Sequence, residues 1–176
     1  RYVTVSFHPT SIQTYSGVFE AIVENAAEGK NKILSFELRG EGTLPRVNVE
    51  KPTLKSKTGF PLLKFRKLMV GSSQTLPILL KNDGIIPAKM KLEWAFKDNE
   101  DFFCGALNDY QSLKPGESRT IEVKCQPSSI KKLEGELRLK VQDNSFEDCS
   151  IFVAGEGYMD DITFEGFGDE VENELN

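Results

Sequence analysis

Four groups of residues in this 176-residue chain have types that could do chemistry: one histidine, three cysteines, two Gly-x-Gly elements and a run of lysines. His8 is the only imidazole, so a Ser-His-Asp triad or a histidine-rich metal cage has almost nothing to draw on. It precedes Pro9 at the end of an alternating segment and reads as a solvated loop residue. Cys104, Cys125 and Cys149 are odd in number, far apart and without a Cys-x-x-Cys pair, which argues against a zinc module and a disulfide scaffold. Gly40-Glu41-Gly42 and Gly155-Glu156-Gly157 lack the third glycine of a dinucleotide loop, and no helix is expected after either. They read instead as exits where the chain bends out of a domain. No acid/base pair stands out, so the sequence predicts no enzyme, no cofactor, no metal and no small-molecule substrate.

The lysines carry a different chemistry. Lys51, Lys55, Lys57, Lys64, Arg66 and Lys67 fall in one stretch with no acid among them. Such a basic edge can meet an acidic surface, for example a microtubule or a nucleic-acid backbone, and edge lysines also discourage aggregation. No aromatic ladder or base-reading motif accompanies the charge, so a protein partner is expected and nucleic acid is not. A second set, Lys89, Lys91 and Lys97, is expected along one side of a strand, where it could face an acidic peptide. Seven of the 27 acidic residues lie between 160 and 176 with no Lys or Arg, so this end reads as an acidic linker. The longest apolar run, Leu76 to Leu80, contains Pro77 and is too short to insert into a membrane. With no Asn-x-Ser/Thr acceptor and unpaired cysteines, a reducing cytoplasmic setting is expected.

These residues sit on a repeated framework. The segment from Val3 to Val23 aligns with Ile121 to Val141 at an offset of 118, superposing Val5 on Val123, Pro9 on Pro127, Ser11 on Ser129 and Gly17 on Gly135. The two Gly-x-Gly elements then coincide at an offset of 115. Within each copy the apolar residues recur with period two: Val3, Val5, Phe7, then Phe19, Ala21, Val23, then Leu34, Phe36, Leu38. Cys125 and Cys149 fall on inward positions of the second copy and read as small core hydrophobes. Between the copies, strands are expected over Leu62 to Val70, Leu76 to Leu80 and Met90 to Phe96, with a short one at Phe102. Asn82-Asp83-Gly84 and Lys114-Pro115-Gly116-Glu117 are turns, and Trp94 is a candidate core tryptophan between two sheets. Several short alternating strands without an amphipathic helix predict an all-β sandwich.

On these residues the chain resembles tandem ASH domains, the ASPM- and hydin-type relatives of the major sperm protein and PapD folds. The resemblance is carried by Val70-Gly71, Leu80-x-Asn82-x-Gly84, Leu113-x-Pro115-Gly116, Val123-x-Cys125-x-Pro127, Gly135-x-Leu137 and Gly155-x-Gly157. It implies immunoglobulin-like antiparallel β-sandwiches in tandem. Residues 1–43 would be the C-terminal half of one, residues 44–158 a complete one, and 159–176 an acidic linker or the start of the next. It further implies a scaffold module of the motile-cilium axoneme, in the central pair apparatus, contacting protein or microtubule-associated partners. The alternative is a major-sperm-protein-like domain that binds acidic peptide motifs at membrane contact sites.

Overall fold

The computed structural model describes residues 2–23, 32–97, 99–105 and 109–160. The acidic segment from 161 onward, and with it most of the expected linker at 159–176, lies outside the described residues. The described residues form eleven strands and two short 3-10 turns. Strands β1 (Thr14–Ile22) and β2 (Ile33–Glu41) make a separate two-stranded hairpin. The others are β3 (Asn48–Lys51), β4 (Leu62–Met69), β5 (Gln74–Lys81), β6 (Ala88–Lys97) and β7 (Phe102–Cys104), then β8 (Gln111–Leu113), β9 (Ser118–Cys125), β10 (Lys132–Val141) and β11 (Cys149–Tyr158).

The alternation in sequence becomes a two-sheet core. One sheet runs β3-β5-β9-β7 and the other β4-β11-β10-β6-β8. In immunoglobulin terms the first is the A-B-E-D sheet, and β6, β10 and β11 are the C, F and G strands of the second. Ile78, Leu80, Val123, Leu92, Leu137, Leu139 and Ile151 are fully buried between them. Each such side chain contributes on the order of 1.5–3 kcal/mol by leaving water. The sandwich is not antiparallel throughout, since β4 pairs with β11 in parallel. The chain changes sheets between β3 and β4, across the cis Lys51–Pro52 bond and the 54–62 turn, and so enters beside β11 running the same way. Pro77 is tolerated in β5 because it lies past the end of β3, where one edge of the strand has no ladder to lose. Trp94 packs on the core and stacks on Phe102 at 6.0 Å, but remains half-buried at the sandwich edge.

The repeat is visible in register. In the first hairpin Tyr15 pairs with Gly40, Gly17 with Leu38 and Ala21 with Leu34. In the β10–β11 hairpin Leu133 pairs with Gly155, Gly135 with Val153 and Leu139 with Cys149, which are the aligned positions. The Gly-x-Gly elements also coincide, though their role differs from the bend expected. Neither element has a glycine with positive φ. What they supply is room. A Cβ on Gly157 would lie 2.3 Å from the Ser129 carbonyl oxygen and 2.8 Å from Pro127 Cβ, and one on Gly42 2.1 Å from the Ser11 oxygen and 3.0 Å from Pro9 Cβ. The amides donate to matched carbonyls too, Gly157 to Lys131 at 2.9 Å and Gly42 to Gln13 at 2.8 Å. Residues 2–9 form no strand, contrary to the alternation of Val3, Val5 and Phe7. Their counterpart β9 is held by β5, and among the described residues nothing plays β5 for them.

Buried polar groups fix the turns. Asn82, fully buried, donates from Nδ2 to the carbonyls of Ile86 (2.8 Å) and Leu113 (2.9 Å) and accepts from the Gly84 amide at Oδ1 (2.9 Å). Its backbone is bonded to Glu117 and Gly116, tying the end of β5 to the turn before β9. Truncating a buried group with that many partners leaves several of them orphaned. Asn82→Ala is expected to lower the unfolding free energy of the whole chain by about 2–4 kcal/mol, read by urea denaturation. A loss within about 0.5 kcal/mol would contradict this role for the side chain.

Candidate interaction surface

The basic segment is carried by β3, the turn after it and β4. Lys51 ends β3, Lys55 and Lys57 sit in the 54–62 turn, and Lys64, Arg66 and Lys67 lie on β4, all exposed. Strict alternation would put only one of Arg66 and Lys67 outside. A register slip supplies the difference: Ala154 pairs with Lys64 and Glu156 with Lys67, so β4 fits an extra residue in the bulge and both side chains face water. Lys67 is not available charge, because its Nζ lies 2.8 Å from Glu156 Oε1 and holds that carboxyl below the usual range. Among the described residues the other five have no ion pair within 4 Å, so the free basic surface is Lys51, Lys55, Lys57, Lys64 and Arg66.

The second lysine set is rearranged. Glu93 on β6 receives Lys140 at 2.5 Å and Lys91 at 2.8 Å, and Lys91 also lies 5.4 Å from the Tyr110 ring centre. Hydrogen bonding first from Lys140 and then from Lys91 pulls the Glu93 carboxyl down to about 2. Lys97 does not share the side of Lys89 and Lys91 as expected. Opposite Leu137 and Glu136 the register skips Ala95, and this bulge turns Lys97 toward the core edge, where its Nζ donates to the Phe102 carbonyl at 3.3 Å and lies 6.0 Å from the Trp94 ring centre. That face of β6 and β10 is therefore a partly compensated charge network, two lysines sharing one carboxylate.

A feature that sequence reasoning missed is the open flank of β9. Strand β7 is only three residues long and pairs with Val123, Lys124 and Cys125, so Ser118–Glu122 has no strand on that side among the described residues. A shallow groove of about 780 Å³ lies there, lined by Phe103, Arg119, Ile121, Glu122 and Lys124. The only sequence signal was the brevity of the apolar pair Phe102-Phe103, which is too short to cover its neighbour. An unpaired flank of this kind can accept an added strand. Two of the three thiols are held in their unreactive form. Burial, then the nearby Asp101 charge, pushes Cys125 up to about 11, and burial also raises Cys149. A thiol kept protonated at neutral pH is a poor nucleophile. Among the described residues no group of three His, Cys, Asp or Glu could hold a metal.

The Glu93 arrangement has a pH signature. Its carboxyl is held below the ordinary value of 4.5, so the stabilisation it brings is complete above pH 4.5 and is lost as pH falls through about 2. In a carboxylate-resolved NMR titration Glu93 is expected to protonate near pH 2, and Lys140→Met to move that midpoint upward. A midpoint near 4.5 in the unaltered chain would refute the network.

No protein-family model matches the sequence. The chain is 32% identical over 187 aligned residues to the hydrocephalus-inducing protein homolog of Homo sapiens, and 33% identical to the hydrocephalus-inducing protein of Mus musculus. Each alignment takes in 93% of this chain but only 4% of the relative, so the chain spans a small fraction of the proteins it matches. Among solved structures it is similar to the ASH/PapD-like domain 7 of human CEP192, at 10% identity and a TM-score of 0.49, over 65% of this chain and 87% of that one. The described residues thus form an all-β, immunoglobulin-like architecture, and the chain is similar along nearly its whole length to one short stretch of the hydrocephalus-inducing proteins.

Proposed function

We propose that the chain is a structural, protein-binding module of the ciliary axoneme, with its place in the central pair apparatus. The observation that carries this reading is the relationship to hydrocephalus-inducing proteins over 93% of the chain. The architecture suits the role. Residues 44–158 act as one rigid sandwich whose interior is packed with side chains, leaving sheet edges and charged faces as the means of contact. The partners are other proteins of the axoneme, including the acidic microtubule surface, and the location is cytoskeletal within the cytoplasm and cilium. The free cations at Lys51, Lys55, Lys57, Lys64 and Arg66 form the proposed contact patch. An acidic-peptide receptor at membrane contacts is less well served, because Lys91 and Lys140 already share Glu93.

Exposed charges contribute little to stability, so the patch can be tested without unfolding the protein. Replacing Lys55, Lys57, Lys64 and Arg66 together by Glu is expected to weaken co-sedimentation with axonemal microtubules at least ~10-fold, while Tm moves by no more than about 2 °C. Undiminished binding by the reversed protein would dismiss the patch. Tagged longer protein that stays out of cilia in ciliated cells would dismiss the axonemal assignment.

A further inference from the structure

We propose that the inner face of the β1–β2 hairpin is a docking surface for a polypeptide segment built like residues 44–118 of this chain, which would close a second sandwich over it. The inference stands apart from the axonemal reading, since it rests on the repeat alone. In the second copy, the face formed by Leu137, Leu139, Val141, Ile151 and Val153 is at most 4% exposed, because strands from residues 44–125 cover it. The matched face in the first copy is open. Of the matched positions Val23 is 46% and Phe36 44% exposed while Phe19, Ala21 and Leu38 are half-buried, and the flanking Val5 (52%), Phe7 (48%) and Leu34 (59%) are exposed as well. So much contiguous apolar surface on one small hairpin is far from what a finished domain shows water.

The unit is otherwise assembled as its counterpart is. Residues 3–42 keep the β10–β11 register, the Gly42–Ser11 approach and the Gly42-to-Gln13 hydrogen bond, and Phe7 lies against Gly40 where Cys125 lies against Gly155. One position identifies the occupant. Gly135 is buried under Trp94, whose ring would stand 3.0 Å from a Cβ there, whereas a Cβ on Gly17, its match, would meet nothing within 4 Å among the described residues. The first hairpin therefore keeps a vacant seat for a large aromatic brought by a strand equivalent to β6.

Two other occupants fit less well. In a second copy of the chain, the strands able to cover this face are already packed in their own sandwich. The chain's own β6–β10 outer face is occupied by the Lys91, Glu93 and Lys140 network, a poor match for exposed phenylalanines. The relatives extend far beyond the matched stretch, which gives ample chain for a covering segment.

The repeat also dictates the test. Arg1 aligns with Arg119, so a second copy of residues 44–118 fused directly before Arg1 continues in register. The expected result is a monomer in which the added tryptophan emits in the blue, buried range and proteolysis within residues 14–41 slows at least ~10-fold. Gly17→Leu should abolish both changes in the fusion, yet shift the Tm of the 176-residue chain by no more than about 2 °C. Unslowed cleavage of the hairpin in a folded fusion would overturn the proposal. Should the fusion not fold, the 176-residue chain decides. Rapid hairpin cleavage in a monomer by sedimentation supports the open face. A hairpin already resistant in the monomer, or in a dimer, assigns the face to the chain's own domain or to a second copy, and the proposal fails.

Discussion

A pleated sheet built from alternating residues has one apolar face, and that face must be covered. Most of this structure follows from how that demand is met. In residues 44–158 two sheets answer each other: β5 and β9 from one side and β6, β10 and β11 from the other bury a continuous core. In the first hairpin the same pattern occurs with the same register, but among the described residues no second layer pairs with it. The contrast isolates what a hairpin can do alone. It can form its ladder and lock its ends through a Gly-x-Gly approach, but cannot remove its phenylalanines from water.

The polar interactions at the joints are few and specific. Asn82 binds two turns together, while Asn144 donates to the Pro45 carbonyl at 2.8 Å and Arg46 lies 3.4 Å from Glu147 and 3.7 Å from Asp83. Asn144 and Glu147 fasten the stretch between the hairpin and the sandwich to the turn after β10, and Asp83 fastens it to the turn after β5. The outer face of β6 and β10 carries paired charges, while the flank of β9 carries unpaired backbone among the described residues.

Much of the fold was legible because period-two alternation and turn residues act locally. The strands around Leu62, Leu76, Met90, Ile121, Leu137 and Cys149 all appear where alternation puts them, and Asn82-Asp83-Gly84 turns the chain. What local pattern cannot carry is pairing. Val3, Val5 and Phe7 alternate as well as any strand, yet without a neighbour they make no ladder. The two bulges were equally invisible, since each depends on the register of the opposite strand, and they decide where Arg66, Lys67 and Lys97 point. The basic segment could be read from composition alone. Which of its charges are free could not, because the partner of Lys67, Glu156, is distant in sequence.

Native-state hydrogen exchange on the unaltered chain compares the two hairpins most directly. They share one register and differ in whether a second layer covers them, so cover alone should set their protection. The β10–β11 amides are expected to exchange only through global unfolding, and the β1–β2 amides at least ~100-fold faster, through local opening. Equal protection of the two hairpins in a monomer would mean that the exposed apolar face is already satisfied, and the central claim would be wrong.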